Sequence, residues 1–112
     1  MKLEIQSLFS PDLDPTDGQP ADPADFQVLV SVALGEVGTA GHEVFYFTVS
    51  SPCRLATTEC GSFVLNTLVL ETFDWTAIRN RLQKLLAHCA SAESWDAVIS
   101  RVSGFLRYAD AD

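Results

Sequence analysis

The hydrophobic repeat of the chain changes once, close to residue 74, from a period of two residues to a period near 3.6. Before that point, apolar and polar side chains alternate in short runs, as in strands with one buried face. After it, apolar residues recur at three- and four-residue spacing, as in amphipathic helices. Because the strands come first and the helices follow without alternation, the order predicts an α+β fold.

The first part of the chain predicts four strands, at residues 3–9, 26–34, 42–50 and 63–71. The second strand has the clearest alternation, since Phe26, Val28, Val30, Val32 and Leu34 share one face. Residues 35–41 form a connection whose glycines can supply positive φ for a turn. We expect the four strands to form an antiparallel meander.

The second part predicts two helices. Asp74 is a suitable N-cap for the first, and Ser94 for the second. The first helix carries an apolar stripe of Trp75, Ile78, Leu82, Leu85, Leu86 and Cys89, and the second one of Trp95, Val98, Ile99, Val102, Phe105 and Leu106. Both helices should therefore cover one face of the sheet, in the order β-β-β-β-α-α. Since 112 residues are too few for two separate cores, we expect a single domain over residues 1–112.

Charge is strongly uneven along the chain. The net charge is −8, from 15 acidic and 7 basic residues. Residues 1–74 hold all of the excess acid, with a net charge of −9, whereas residues 75–112 have a net charge of +1. A surface of this sign repels nucleic acid and anionic membranes, because both are bound through clustered Lys and Arg. The composition therefore favours a basic protein partner.

Several features indicate a cytoplasmic location. The amino-terminal residues 1–5 alternate charged and apolar side chains, unlike a signal peptide. No apolar run approaches the ~20 residues that would span a bilayer. The three cysteines are odd in number, so reduced thiols are expected.

Motifs for catalysis or cofactors are absent from the sequence. His42 and His88 are the two histidines, and no G-x-S-x-G motif accompanies them. Cys53 and Cys60 are too far apart for a zinc pair and have no second pair. The aspartates of residues 12–18 do not follow the spacing of a calcium loop. We therefore expect no enzyme activity, metal or cofactor. The least favoured functional alternative is a small hydrolase that works through paired carboxylates.

The most distinctive segment is residues 11–25, with four prolines and five aspartates, here called the Asp/Pro loop. Even if disordered in the free protein, it would hold several carboxylates near a cationic surface. Ordinary solubilising charge is the alternative explanation. The candidate partner interface consists of Asp12, Asp14, Asp17, Asp22, Asp25, Glu36, Glu43 and Tyr46.

The outward side of the predicted sheet is more apolar than solubility requires. Leu29, Val44, Tyr46 and Leu68 are assigned to it, opposite the residues that face the core. This side is either a surface for a partner or a homodimer, with Tyr46 as its anchor, or it is covered by the Asp/Pro loop. Trp75 and Trp95, by contrast, are predicted to lie in the core.

Six blocks of sequence, distributed along nearly the whole chain, are distinctive when taken together. They are residues 1–13, 26–30, 33–38, 44–52, 68–78 and 94–98, among them Val-Phe-Tyr-Phe-Thr-Val-Ser-Ser-Pro at 44–52. These blocks resemble the immunity protein 8 (Imm8) family of bacterial polymorphic toxin systems. The resemblance implies a small cytosolic protein, encoded beside a toxin, that binds the toxin's effector domain and prevents self-intoxication. It carries over no catalytic residues.

The charge pattern is compatible with that resemblance. Toxins that act on nucleic acid, such as nucleases, carry cationic clefts that an acidic protein can occupy. The sequence therefore predicts an immunity protein that neutralises a cognate toxin domain without catalysis. A self-associating structural or adaptor subunit that uses the apolar sheet face is the alternative.

Overall fold

The computed structural model describes residues 1–56 and 65–110, and these form five strands and three helices. In chain order the elements are β1 (Leu3–Phe9), β2 (Gln27–Glu36), β3 (Glu43–Ser50), α1 (Pro52–Leu55), β4 (Thr67–Val69), α2 (Trp75–Ala87), α3 (Trp95–Val102) and β5 (Arg107–Tyr108). The architecture is α+β, as predicted. Within the described residues, no helix has both the length and the apolar character needed to cross a membrane.

The sheet is mixed, so the predicted pure meander is wrong. β1 pairs with β2, and β2 with β3, in antiparallel fashion, but β4 runs parallel to β3. A parallel pair needs a crossover between its strands, whereas a meander needs only a turn. β3 ends at Ser50, and Pro52 begins α1, for which the Ser51 side chain is the N-cap. The chain thus leaves the sheet after β3 and re-enters it in the same direction.

Two further details differ from the sequence-based expectation. β5 pairs antiparallel with Phe45 and Tyr46 of β3, and its two residues are too few to produce a hydrophobic period. β4 is shorter than the predicted strand 63–71, of which residues 63–64 lie outside the described part of the chain. Leu68 pairs with Val49 and packs against the core, so its predicted place on the outward face is also wrong.

Both main helices pack on the same face of the sheet, as predicted. Their caps are also confirmed, because Asp74 accepts a hydrogen bond from the amide of Thr76 at 2.9 Å and Ser94 accepts one from Ala97 at 3.2 Å. The buried core comprises Val28, Val30, Val32, Leu34, Phe45, Phe47 and Val49 from the sheet, and Ile78, Leu82, Leu86, Cys89, Val98, Val102 and Leu106 from the helical part. Phe105 is the exception, because α3 ends at Val102 and its ring is 60% exposed.

Candidate functional site

The Asp/Pro loop begins where β1 stops and continues along the free edge of β2. The last pair between these strands joins Phe9 to Ser31. Beyond it, the Ser10 hydroxyl donates a hydrogen bond to the carbonyl of Leu29, and Asp12 Oδ2 accepts one from the Leu29 amide at 2.7 Å. The side chains of Ser10 and Asp12 therefore take over hydrogen bonds that a longer β1 would make. This fixes the start of the loop to the sheet.

Leu13 anchors the middle of the loop in the hydrophobic core. Its side chain is only 8% exposed and belongs to the same cluster as the sheet residues. Around it the backbone closes on itself, since the Ser10 amide bonds the Thr16 carbonyl at 2.8 Å and the Gly18 amide bonds the Pro15 carbonyl at 2.8 Å. A Cβ at Gly18 would lie 2.9 Å from that carbonyl oxygen, so the turn is tight enough to require glycine.

The start of α2 holds the second half of the loop. Trp75 Nε1 donates to the Gly18 carbonyl at 2.8 Å, and the Phe73 amide donates to the Pro23 carbonyl at 2.9 Å. The Phe73 ring packs edge-on against both Phe26 and Trp75, with ring centroids 5.3 Å apart in each case. Trp75 is half-buried against the core, so it has the predicted packing role and also a tethering role that its periodicity did not indicate.

The end of the loop is fastened beside α1. Asp25 forms an ion pair with Arg54 at 3.0 Å, and the Ser51 hydroxyl accepts a hydrogen bond from the buried Phe26 amide at 3.1 Å. The hydrogen bond from Arg54 holds the pKa of the Asp25 carboxyl below its usual value. Because both partners are exposed, this pair positions the loop more than it stabilises the fold.

These contacts gather acidic side chains at one end of the sheet, here called the acidic end. It comprises Asp12, Asp14, Asp17, Asp22 and Asp25 of the loop, together with Glu71 and Asp74, and all seven residues are exposed. Glu71 and Asp74 are not among the interface candidates that the sequence indicated. The loop lies beside them because Phe73 and Trp75, on either side of Asp74, bond to Pro23 and Gly18.

The loop carboxylates differ in whether they already have a hydrogen-bond or ion-pair partner within the fold. Asp12 and Asp25 have the partners described above, and Asp22 Oδ1 accepts a hydrogen bond from the Ala24 amide at 2.9 Å. Among the described residues, Asp14 and Asp17 have no hydrogen bond or ion pair to their carboxylates. Asp14 and Asp17 are therefore the members of the candidate set whose charge is most available to a partner.

Glu36 and Glu43 do not join the acidic end. They lie at the opposite end of the strands, where Glu36 is opposite Leu3 and Glu43 opposite Leu34. Along β2, five residues separate Leu29, to which Asp12 bonds, from the partner of Glu43, and seven residues separate it from Glu36, or about 17 Å and 23 Å. Glu43 accepts a hydrogen bond from the Tyr108 hydroxyl at 2.6 Å, which raises the pKa of Tyr108 to about 12.

Tyr46 lies on a third surface, the outward face of the sheet. It is opposite Ser31, in the same cross-strand row as Phe9 and Arg107. The exposed apolar side chains on this face are Phe9 at 37%, Leu29 at 38% and Val69 at 43%. The Asp/Pro loop does not cover this face, because Leu13 and Gly18 attach it to the core and to α2. The alternative that placed the loop over Tyr46 is therefore wrong.

The remaining chemically reactive side chains are dispersed. Within residues 1–56 and 65–110, no three His, Cys, Asp or Glu side chains come together in a way that could hold a metal ion. Cys89 is fully buried in the core, and burial raises the pKa of its thiol. Cys53 is exposed beside Asp25, and Cys60 lies outside the described residues.

Comparison with known proteins gives one positive result. No curated protein and no solved structure matches the chain. The family described as immunity protein 8 matches residues 3–109, which include the Asp/Pro loop and every strand and helix named above. Proteins of this kind are generally non-catalytic. The resemblance noted in the sequence is thus confirmed, and the chain belongs to the immunity protein 8 (Imm8) family, whose role is to neutralise a cognate toxin.

Proposed function

We propose that the chain neutralises its toxin by binding the effector domain through the acidic end, in the cytoplasm of the cell that produces the toxin. The observation that supports this proposal is the attachment of the Asp/Pro loop at both ends and in its middle. Asp12 bonds to β2, Leu13 enters the core, and Asp25 pairs with Arg54. Exposed carboxylates are thereby held in a fixed arrangement before any partner arrives.

A fixed group of like charges suits recognition of a basic surface. Complementary charge speeds association and selects against other partners more than it adds affinity. Holding the loop in place beforehand lowers the ordering cost that a flexible loop would incur on binding. A toxin domain with a cationic substrate cleft, such as a nuclease, has the charge that this surface would attract. Occupation of that cleft would stop the toxin without any chemistry by the immunity protein.

The size of a contact patch also limits which candidates share it. Along β2, Leu34, the partner of Glu43, is five residues from Leu29, to which Asp12 bonds, and Glu36 is seven residues from it, or about 17 Å and 23 Å. A standard interface of about 800 Å² on each partner extends roughly 15 Å from its centre. For a patch centred on the acidic end, we therefore assign the direct contact to the acidic end, and to Glu36 and Glu43 only a contribution to the long-range field.

The double variant Asp14→Asn/Asp17→Asn tests this placement. Neither carboxylate bonds to the described part of the protein, so the fold should be unchanged. We expect the association rate with the effector domain to fall about threefold to tenfold at low salt, with a shallower dependence on ionic strength, because steering is lost. Stopped-flow fluorescence or surface plasmon resonance at several salt concentrations measures both quantities.

The matched control is Glu4→Gln/Glu93→Gln, which removes the same charge from exposed positions outside the acidic end. Its association rate should change much less. Equal rates for the wild type and the Asp14/Asp17 variant at low salt would contradict the placement, and so would an equal loss in the control.

The outward face supports a second candidate, self-association through Tyr46. Phe9, Leu29 and Val69 remain over a third exposed there, and an apolar sheet face of this kind favours burial against another surface. Light scattering on the purified protein tests it. A dimer that is lost on Tyr46→Asp would support this candidate, whereas a monomer at high micromolar concentration would exclude it.

A further inference from the structure

An apolar groove runs between α2 and β4, and it is separate from both surfaces considered so far. Its volume is about 280 Å³. The floor and walls are formed by Phe47, Leu68, Leu82, Leu85, Phe105 and Leu106. This volume is at the lower limit of pockets for drug-sized molecules, about 300 Å³, and has room for one or two apolar side chains.

Positive charge borders the groove on the α2 side. Arg81, Lys84 and His88 line it, and residues 75–88 contain no acidic residue. α2 is therefore a basic segment in a chain whose net charge is −8. In the part of the chain that the structure describes, Arg81 and Lys84 make no ion pair or side-chain hydrogen bond. Two cations beside the groove are thus available to an acidic partner.

The Phe105 ring adds an exposed apolar edge. The chain turns after α3, with the amides of Phe105 and Leu106 both bonding the Val102 carbonyl at 2.8 Å. Leu106 is buried by this turn, whereas Phe105 remains 60% exposed at the side of the groove. An aromatic side chain at the rim of an apolar groove is a typical anchor for a bound segment.

The acidic end offsets only part of the charge at the groove. Along α2, Lys84 is ten residues and Arg81 seven residues from Asp74, or about 15 Å and 10 Å at 1.5 Å per residue. Because the Debye length is ~10 Å at 0.1 M salt, Asp74 is largely screened from Lys84 and partly screened from Arg81. A carboxylate at the groove would therefore experience mainly the charge of Lys84, together with that of Arg81.

We propose that the α2–β4 groove is a second docking surface, which binds an acidic segment of another protein with one apolar side chain inserted between Leu85 and Phe105. The apolar side chain fills the groove, and carboxylates on either side of it pair with Arg81 and Lys84. This surface differs in charge and position from the acidic end. Loss of binding here would leave toxin association through Asp14 and Asp17 intact, so the two proposals fail independently.

Three synthetic peptides serve as probes, each with a central Phe, Leu or Trp flanked by glutamates, and each with a counterpart in which Gln replaces Glu. Binding to the full chain is followed by fluorescence anisotropy and by amide NMR shifts. We expect at least one acidic peptide to bind saturably and to shift the amides of Thr67, Leu85 and Phe105. Arg81→Gln/Lys84→Gln should weaken that binding about fourfold to twentyfold at low salt, since an exposed ion pair is worth about two- to fivefold.

Arg79→Gln is the matched charge control, because Arg79 lies on the same helix but lines the clefts beside β1. Phe105→Ser removes the exposed ring at the rim and should also weaken binding of the peptide. Val37→Ser is its control, since Val37 is also exposed but lies in the turn after β2. Both controls should bind the peptide normally. The proposal would be overturned if no acidic peptide bound at millimolar concentration, if the Gln peptides bound equally well, or if Arg79→Gln had the same effect. A homodimer lost in the Arg81/Lys84 variant would also overturn it, because the occupant would then be a second copy of this chain.

Discussion

Replacing Phe45 with alanine should lower the free energy of unfolding by about 3–5 kcal/mol, the usual cost of deleting a buried phenyl ring. The Phe45 side chain, on the third residue of β3, is fully buried. It lies opposite Val32 on one side and Tyr108 on the other, with the Tyr108 ring centroid 5.3 Å away. Its removal would open a cavity where the sheet, its last strand and the helices meet. Urea denaturation followed by circular dichroism measures the change.

Leu65→Ala is the control for this prediction, because Leu65 is also a large apolar residue but is 70% exposed. Its free energy of unfolding should stay within about 0.5 kcal/mol of the wild type. A loss below 1 kcal/mol for Phe45→Ala would mean that β5 and the helices do not enclose this position as described.

Replacing Leu13 with alanine should release the Asp/Pro loop. Leu13 is the loop side chain that enters the core, and deleting a buried leucine costs about 2–5 kcal/mol. We expect that loss in unfolding free energy, together with at least tenfold faster amide exchange at Thr16 and Gly18, whose turn surrounds Leu13. Because freed carboxylates must be ordered again on binding, the affinity for the effector domain should also fall.

Trp75→Phe separates the anchoring of the loop from general instability. It keeps an aromatic ring against Phe73 but removes the indole donor that bonds Gly18. The expected loss in unfolding free energy is about 1 kcal/mol, the net value of one hydrogen bond, with faster amide exchange confined to the second half of the loop.

The Leu13→Ala prediction has its own contradicting outcome. If amide exchange in the loop were unchanged in that variant, the core would not hold the loop.

Local patterns predicted the helical part of the fold well. The caps Asp74 and Ser94 and the buried stripe of α2 are all present. These features depend on hydrogen bonds and contacts within a few residues, which the sequence displays directly. The predicted inward position of Phe105 was wrong, because the helical spacing of apolar residues continues in the sequence after α3 has ended at Val102.

Strand direction was not predictable in the same way. The alternation of apolar residues fixes which side of a strand is buried, but it is the same for parallel and antiparallel neighbours. Whether β4 runs with or against β3 depends on the path of the chain between them. β5 is held by its pairing with Phe45 and Tyr46, a long-range contact that leaves no local pattern in two residues.

The candidate site was likewise predictable from the sequence only in part. Composition alone identified the Asp/Pro loop and its five aspartates. It could not show that the loop is fixed, because Leu13, Gly18 and Pro23 are held by partners in the core and in α2. Nor could composition show that Glu36 and Glu43 lie away from the loop, since the pairing of neighbouring strands decides which residues come close together.

Hydrogen–deuterium exchange on the complex with the toxin's effector domain, at stoichiometric inhibition, tests the central claim most directly. We expect one equivalent of this chain to abolish toxin activity and exchange to slow at amides of residues 11–25 and 71–75. Full inhibition with unchanged exchange at both segments would contradict it, because the toxin would then be held by some other surface.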